Sequence, residues 1–412
     1  MTISRTLRHR MHEGWRLLPA GMRRAAFNGA TTWLAPRPDQ PPPAARGGVA
    51  VGGELWRASG LGVGARLMLA ALEKLGVPVW GFDAGVPLPG EPAGVFSMPP
   101  PGVPLVFHVN APMLPAALLR LPRNVLRGRR VIGYFAWELP TVPPAWRAGA
   151  AFVHDVWVPS RFTAKALEAI APGRVRVVPH PVACSPPVPG ALGRGDFALP
   201  EDAFVVLSSF SLASSFERKN PLAAVAAFRA AFGDDPGRIM VLKVSHAEHW
   251  PADLARLQEA VGGARNIRLE TRLLPHDDNL ALTACVDCVL SLHRSEGFGL
   301  VPAEAMSLGR VVVATNWSGT TDFLDASCGV PVAYKLVAAN DPRGVFMAPG
   351  AVWADADVAQ AAASLRELAA SPDRCRALGA AARQAVAAKL GAAPLCAALA
   401  DIGLHYEAVG AE

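Results

Sequence analysis

Glu296 and Glu304 frame the segment richest in chemistry, Ser291-Leu-His-Arg-Ser-Glu296-Gly-Phe-Gly-Leu-Val-Pro-Ala-Glu304-Ala-Met-Ser-Leu-Gly309. An apolar run ends in the polar stretch His293 to Glu296, Gly297-Phe298-Gly299 turns, Pro302 opens a short helix and Gly309 closes it. Glu296 is therefore expected at a strand edge and Glu304 in the first helical turn. Amides around Gly297 to Leu300 then lie free at a helix N-terminus, where they suit a phosphate or a sugar hydroxyl. Two carboxylates do not favour phosphate, so they read as acceptors of hydrogen bonds from hydroxyls. A second polar segment, Phe216-Glu217-Arg218-Lys219-Asn220-Pro221, follows a strand and precedes the helix Pro221 to Ala231, with Asn220 as its expected N-cap. Arg218 and Lys219 project there from the same sheet edge, where two cations can neutralise a leaving diphosphate without a metal ion. A solvated Arg-Lys pair is the competing reading. Lys243, ending the strand Arg238 to Ser245, is either a third cation for phosphates or an edge-strand lysine.

The N-terminal half offers weaker signals. Trp56 to Arg66 carries Gly60, Gly62 and Gly64 between a strand and a helix, and Asp83 ends the next strand. A dehydrogenase-type dinucleotide site accounts for that one loop and for none of the other segments. His108-Val-Asn110 and Tyr134-Phe-Ala-Trp137-Glu138-Leu-Pro140 end the third and fourth strands. Glu138 is read either as a sugar or acceptor contact or as a buried carboxylate paired with an arginine. Asp355-x-Asp357 opens an Ala-rich helix and reads as a cap, not a metal site. Cys285-x-x-Cys288 and His246-x-x-His249 lack further ligands at zinc spacing. No catalytic metal and no cofactor is expected, and six cysteines without a signal peptide point to reduced thiols.

The Glu296/Glu304 segment, with its Gly-Phe-Gly-Leu and the Ala-Met-x-x-Gly that follows, resembles the Glu-x7-Glu signature of retaining glycosyltransferases of the GT-B fold, family 4 in particular. The Trp137-Glu138-Leu-Pro140 and Val156-Trp-Val-Pro-Ser160 motifs look like a bacterial polysaccharide-assembly subgroup. The resemblance implies two doubly wound Rossmann-like domains facing across a cleft and transfer of a hexose from a UDP- or GDP-sugar to a glycan or lipid-linked glycan. It gives Glu296 the donor sugar's hydroxyls, Glu304 the ribose, and Arg218 and Lys219 the pyrophosphate. It also places Gly62, Lys243, Gly297, Phe298, Gly299 and Leu300 around the donor. The family often has a histidine near the donor sugar where this chain has Trp137 and Glu138; His108, Asn110, Trp137 and Glu138 are the resulting acceptor or sugar contacts. Asn316-Trp-Ser-Gly-Thr-Thr-Asp322 resembles the loop that closes the donor site. A GT-B epimerase or phosphorylase, or a non-catalytic glycan-assembly scaffold, would share much of this cleft.

These segments need a scaffold, and the chain has one. It is 412 residues long, 51% hydrophobic and 18% charged, enough for two domains and too apolar for disorder. Strands are expected at 48–55, 78–83, 104–110, 130–137, 155–160 and 174–180, then at 203–210, 238–245, 266–271, 288–294 and 310–316. Helical segments alternate with them, the pattern of parallel sheets covered on both faces. The Pro-rich stretch 179–190 is the expected hinge, giving domains at 48–184 and 185–393 and a last helix, 394–412, crossing back to the first domain. The net charge of +6 lies wholly in residues 1–47, where eight arginines face Glu13 and Asp39. A basic leader without a folded basic face argues against nucleic acid. Residues 1–30 read either as an interfacial helix drawn to anionic lipid, placing a cytoplasmic enzyme at the inner membrane, or as a helix docked on the domain or a tail.

Overall fold

The computed structural model describes residues 19–57, 59–85, 96–346, 348 and 350–406. Residues 1–18 of the leader lie outside these. Eleven of the strands read from sequence form, each within a few residues of its expected bounds. The first sheet contains β1 (Val49–Gly53), β2 (Val79–Asp83), β3 (Leu105–His108), β4 (Val131–Tyr134), β5 (Asp155–Val158) and β6 (Val175–Val177) in the order β2-β1-β3-β4-β5-β6. The second contains β7 (Phe204–Ser211), β8 (Arg238–Ser245), β9 (Ile267–Glu270), β10 (Cys288–Ser291), β11 (Val311–Thr315) and β12 (Val330–Val332) in the order β12-β11-β10-β7-β8-β9. Every pairing in both sheets is parallel. Strands buried on both faces must be apolar throughout, and Val49 to Val51, Leu105 to Phe107 and Val311 to Ala314 are accordingly sealed from solvent.

The strand orders decide where ligands go. In a doubly wound sheet the crevice opens where the order reverses, outside the carboxyl ends of the strands. That point lies between β1 and β3 in the first sheet and between β7 and β10 in the second. Arg218 and Lys219 follow β7, and Glu296 follows β10.

Helices cover the sheets: α1 (Ala20–Leu34), α2 (Gly60–Lys74), α3 (Leu114–Leu118), α4 (Ala145–Ala150) and α5 (Arg161–Leu167) in the first half. The second half adds α6 (Phe216–Lys219), α7 (Pro221–Phe232), α8 (Pro251–Val261), α9 (His276–Cys285), α10 (Leu300–Ser307), α11 (Val358–Ala370), α12 (Pro372–Lys389) and α13 (Ala393–Asp401). Side-chain caps start several of them, with Ser59 accepting from the Gly62 amide, Ser160 from Thr163 and Asp357 from Gln360. α13 buries Leu395, Ala398 and Leu399 among Val49, Val51, Met68 and Ile132 of the first half, so this helix packs back against the first sheet.

The structure bears on one reading left open and departs from expectation elsewhere, including at the unexpected edge strand β12. The described part of the leader is docked: α1 packs on α3 and α4, the Arg37 guanidinium lies 4.0 Å from the centre of the Phe152 ring, and the Asp39 carboxylate accepts from the Gly128 amide. Asn220 sits at the start of α7 but caps nothing with its side chain, because a left-handed backbone (φ 53°) turns that side chain towards β10. Asp355 belongs to an unexpected antiparallel hairpin, β13 (Tyr334–Ala338) with β14 (Val352–Ala356), and pairs with Arg294 at 3.3 Å; only Asp357 is the cap. The hinge stretch contains a 3-10 turn at Val182–Cys184.

Candidate active site

The loop after β7 is short and strongly constrained. Ser215, with φ 76°, accepts from the Arg218 amide and donates to Asp341, which starts α6 and ends its single turn at Asn220. The Asn220 amide group donates to the Leu292 carbonyl at 3.0 Å, and the Arg294 amide to the Arg218 carbonyl at 2.8 Å. These bonds tie the cation loop to the segment leaving β10.

Arg218 is consequently fixed and 4% exposed. Its Nη1 donates to the Ser295 carbonyl at 2.8 Å and stands 3.1 Å from Glu296 Oε2. Its Nη2 donates to the Ser214 carbonyl at 3.0 Å and lies 4.0 Å from Glu138 Oε1, which comes from the first half of the chain. The Phe346 ring lies beneath the guanidinium. Lys219 Nζ meets Glu296 Oε1 at 2.5 Å. Burial alone would raise the Glu296 carboxyl, but Lys219 and Arg218 overcome it and hold the group near 2. Burial lifts the Glu138 carboxyl above its ordinary range, with Arg218 opposing and Glu296 reinforcing the shift. Burial also lowers the Lys219 ammonium, against the pull of Glu296.

The backbone of Glu296 is clamped by the loop after β11. Its amide donates to Ser318 Oγ at 2.8 Å, and its carbonyl accepts from the Gly319 amide at 2.9 Å. Gly319 has to be glycine, since a Cβ there would stand 2.4 Å from the Gly297 carbonyl oxygen. The Gly297 carbonyl also accepts from Ser160 Oγ at 2.6 Å across the two halves. Beside it, Arg161 donates its amide and guanidinium to Asp322. The amides of Gly297, Phe298, Gly299 and Leu300 have no hydrogen-bond partner among the described residues, and the last two lie at the start of α10. Glu304, one turn into α10, has a partly buried carboxyl without a protein partner, and burial raises it to about 7. Cations paired to one carboxylate, unengaged amides and a second, partnerless carboxyl are groups that can receive an anion carrying hydroxyls.

Arg218, Lys219, Glu296 and Glu138 thus converge, with the amides of Gly297 to Leu300 and with Glu304 along the adjoining loop and helix. Phe298 contributes backbone only, because its ring is buried against His180 and Phe323. Other expected contacts lie elsewhere. Gly62 is packed inside the turn at the start of α2, where a Cβ would approach the Glu54 and Arg57 carbonyls to 2.5 and 2.6 Å; Gly60 is the glycine facing Leu300. Lys243 is buried and donates to the Arg272 carbonyl at 2.8 Å, holding the loop after β9. The Trp137 ring is core, packed on Trp146 and Phe346, with its indole N–H given to the Thr141 carbonyl. Asn110 accepts from the Ala136 amide. His108 is fully buried, stacked on Tyr134, and kept neutral by burial and by the proximity of His180.

Sequence reading missed Asp341 and Phe346 and the supporting contacts of Ser160 and Ser318. Ser160 announces itself only as a helix cap, Ser318 opens a 3-10 turn within the segment Asn316 to Asp322, and the other two sit in irregular loops. All six cysteines are unpaired, and among the described residues no group of three or more His, Cys, Asp or Glu could hold a metal ion. No described helix is long and apolar enough to cross a membrane.

Comparison with known proteins bears on the same residues. Residues 211–355 match the family model described as glycosyl transferases group 1, a stretch containing Arg218, Lys219, Glu296 and Glu304. A search of curated protein sequences returns no match. Among solved structures, a glycosyltransferase from Rickettsia africae superposes with a TM-score of 0.60 at 14% identity, covering 87% of this chain and 98% of that one. A sucrose-phosphate synthase from Thermosynechococcus elongatus gives a TM-score of 0.61 at 16% identity over 86% and 98%. Anabaena HepE, solved with UDP and glucose, gives 0.57 at 13% identity over 86% and 98%. At these identities the likeness is one of fold. The chain has the GT-B fold, and the match to the group 1 glycosyl transferase model falls in its second half.

Proposed function

We propose that this chain is a retaining, metal-independent hexosyltransferase of family 4, moving a sugar from a UDP- or GDP-hexose to a hydroxyl of a glycan or lipid-linked glycan in surface polysaccharide or lipopolysaccharide assembly. The observation that carries the reading is the convergence of Arg218 and Lys219 on Glu296 beside the unpartnered amides of Gly297 to Leu300. In this reading the diphosphate lies against Arg218, Lys219 and those amides, which stabilise its charge as the bond to the sugar breaks. Glu296 takes hydrogen bonds from the sugar's hydroxyls and orients the anomeric carbon; it is a positioning carboxylate, and no covalent intermediate forms on it. Glu304 accepts from the ribose. The acceptor hydroxyl approaches from the Glu138 side, on the same face from which the diphosphate departs, and a diphosphate oxygen takes its proton. HepE, solved with UDP and glucose, supports a nucleotide-sugar donor for this fold.

The test is a screen of UDP- and GDP-hexoses by thermal shift, followed by NMR of the product anomer. A donor that stabilises the protein and yields a product with the donor's anomeric configuration is expected. An inverted product, or absence of stabilisation by every nucleotide, refutes the reading.

A further inference from the structure

We propose that the solvent face of α1 is a docking surface for an anionic lipid bilayer. The helix is inside out for a surface helix of a water-soluble domain. Thr31 is buried and Asn28 and Thr32 are half-buried on its inner side, with the Thr31 hydroxyl turned back onto the Phe27 carbonyl. The larger side chains open to solvent are Met22, Phe27, Trp33 and Leu34, with alanine and glycine at the other exposed positions and a half-buried Arg23 one turn before Phe27. Trp33 is 84% exposed and Met22 58%. A face that exposes a tryptophan, a phenylalanine and a leucine beside the half-buried Arg23 gains stability at the headgroup boundary, where the rings meet lipid and the guanidinium meets phosphate. A groove of about 320 Å³ runs beneath it, lined by Gly29, Trp33, Pro112, Pro115 and Ala148 with Arg37 at its side, which gives part of an acyl chain an apolar seat beside a cation.

The surrounding charge selects the occupant. α1 packs on α3, and the chain leaving α3 carries exposed Arg120, Arg123 and Arg127; Arg147 lies in α4, the other helix under α1. None of these four has a carboxylate partner among the described residues, and the sequence from Pro112 to Trp137 contains no Asp or Glu. A second copy would set these arginines against their own kind. A bilayer with anionic headgroups meets both the apolar centre and the basic border. The surface is connected to the candidate site as well, because α4 directly follows the loop that holds Glu138.

The test is co-sedimentation of the full chain with phosphatidylcholine vesicles, with and without phosphatidylglycerol. Pelleting only with phosphatidylglycerol is expected. The pair Phe27→Ser and Trp33→Ser should weaken it about tenfold or more. The set Arg120→Glu, Arg123→Glu and Arg127→Glu should weaken it most at low ionic strength. All substituted positions are exposed, so melting temperature and nucleotide response stay as in the wild type. Absence of pelleting, or equal pelleting by the Phe27/Trp33 variant, overturns the proposal. So does a wild-type dimer that this variant dissociates. Since the readout is lipid binding, failure here is separate from failure of the transfer reaction.

Discussion

Replacing Glu304 by Gln should stabilise the protein at high pH and not at low pH, while weakening its hold on a nucleotide. Burial raises this carboxyl from the ordinary 4.5 to about 7. The folded state therefore keeps a proton that the unfolded chain releases above pH 4.5. Stability from this group is full below 4.5, declines as pH rises, and is lost above 7. The pKa difference corresponds to about 3 kcal/mol, an upper bound because a carboxyl partly open to the crevice relaxes. Glutamine has the same shape and no charge, so it escapes the penalty. Urea denaturation at pH 4.5 and pH 8 should give equal stabilities at the first and a gain for the variant approaching 3 kcal/mol at the second. With UDP the order reverses: an ionised carboxylate accepts ribose hydroxyls better than an amide does, and such bonds are worth roughly 1.5–3 kcal/mol. Calorimetry at pH 8 should show the variant binding UDP roughly ten- to a hundredfold more weakly, and wild-type affinity should rise with pH up to about 7 and then level. A variant whose stability difference is the same at both pH values would refute the burial argument. Unchanged UDP affinity would remove Glu304 from the nucleotide site.

The remaining predictions concern the cation cluster and its supports. Glu296→Gln leaves Arg218 and Lys219 buried without their partner, so it should lower stability at neutral pH by roughly 3 kcal/mol or more while cutting turnover and sparing pyrophosphate affinity; full transfer activity would eliminate the role given to this residue. Because the Glu296 carboxyl is held near 2, its contribution in the wild type is intact above pH 4.5 and disappears as pH falls towards 2, a loss visible in acid denaturation that the Gln variant should lack. Gly319→Ala drives a Cβ into the Gly297 carbonyl and should depress both melting temperature and turnover; wild-type behaviour of both would show the loop to be free to move. Ser160→Ala removes a bond across the two halves and should cost about 1 kcal/mol with little effect on UDP affinity, measured by urea denaturation and calorimetry.

The site was legible where its chemistry is local. Glu296, Gly297 to Leu300 and Glu304 occupy one strand-loop-helix unit, and the residue types alone place free amides and a carboxylate at its turn. Arg218 and Lys219 follow from the same logic one strand away. The supports were illegible because they act through contacts distant in sequence. Ser318 and Gly319 lie in the segment Asn316 to Asp322 that the resemblance marks, but they hold Glu296 by its main chain, a contact that no side-chain pattern records. Glu138 left two readings open in the sequence; the structure brings it to Arg218 across the two halves, beside the candidate site rather than away from it. Trp137 and His108 stand one or two residues from polar groups at strand ends, but strand alternation and the packing of Trp146, Met68 and Tyr134 turn both inward. The hairpin β13–β14 escaped notice because most of β13 is exposed and lacks the buried apolar run that marked the other strands.

The ion pairs of Glu296 also lead to a prediction about the order in which a donor is recognised. Arg218 and Lys219 are neutralised by Glu296, at 3.1 and 2.5 Å, so Glu296 now occupies the cations that the proposed diphosphate would use. A free hexose has only neutral hydroxyls to offer, a poor exchange for two cations that hold the carboxyl near 2 against the opposing effect of burial. A diphosphate can, because it brings charge of the same sign together with acceptors for the unpartnered amides of Gly297 to Leu300. Once the cations turn to phosphate, Glu296 is left with lone pairs that sugar hydroxyls can fill. If the proposed donor site is right, the nucleotide is expected to bind first and to free Glu296 for the sugar. Calorimetry should show no binding of glucose or mannose to the free protein, measurable binding of UDP or GDP, and hexose binding only with the nucleotide in place. Hexose binding of equal strength with and without nucleotide would refute this order, and with it the role of Glu296 as the group exchanged between cation and sugar.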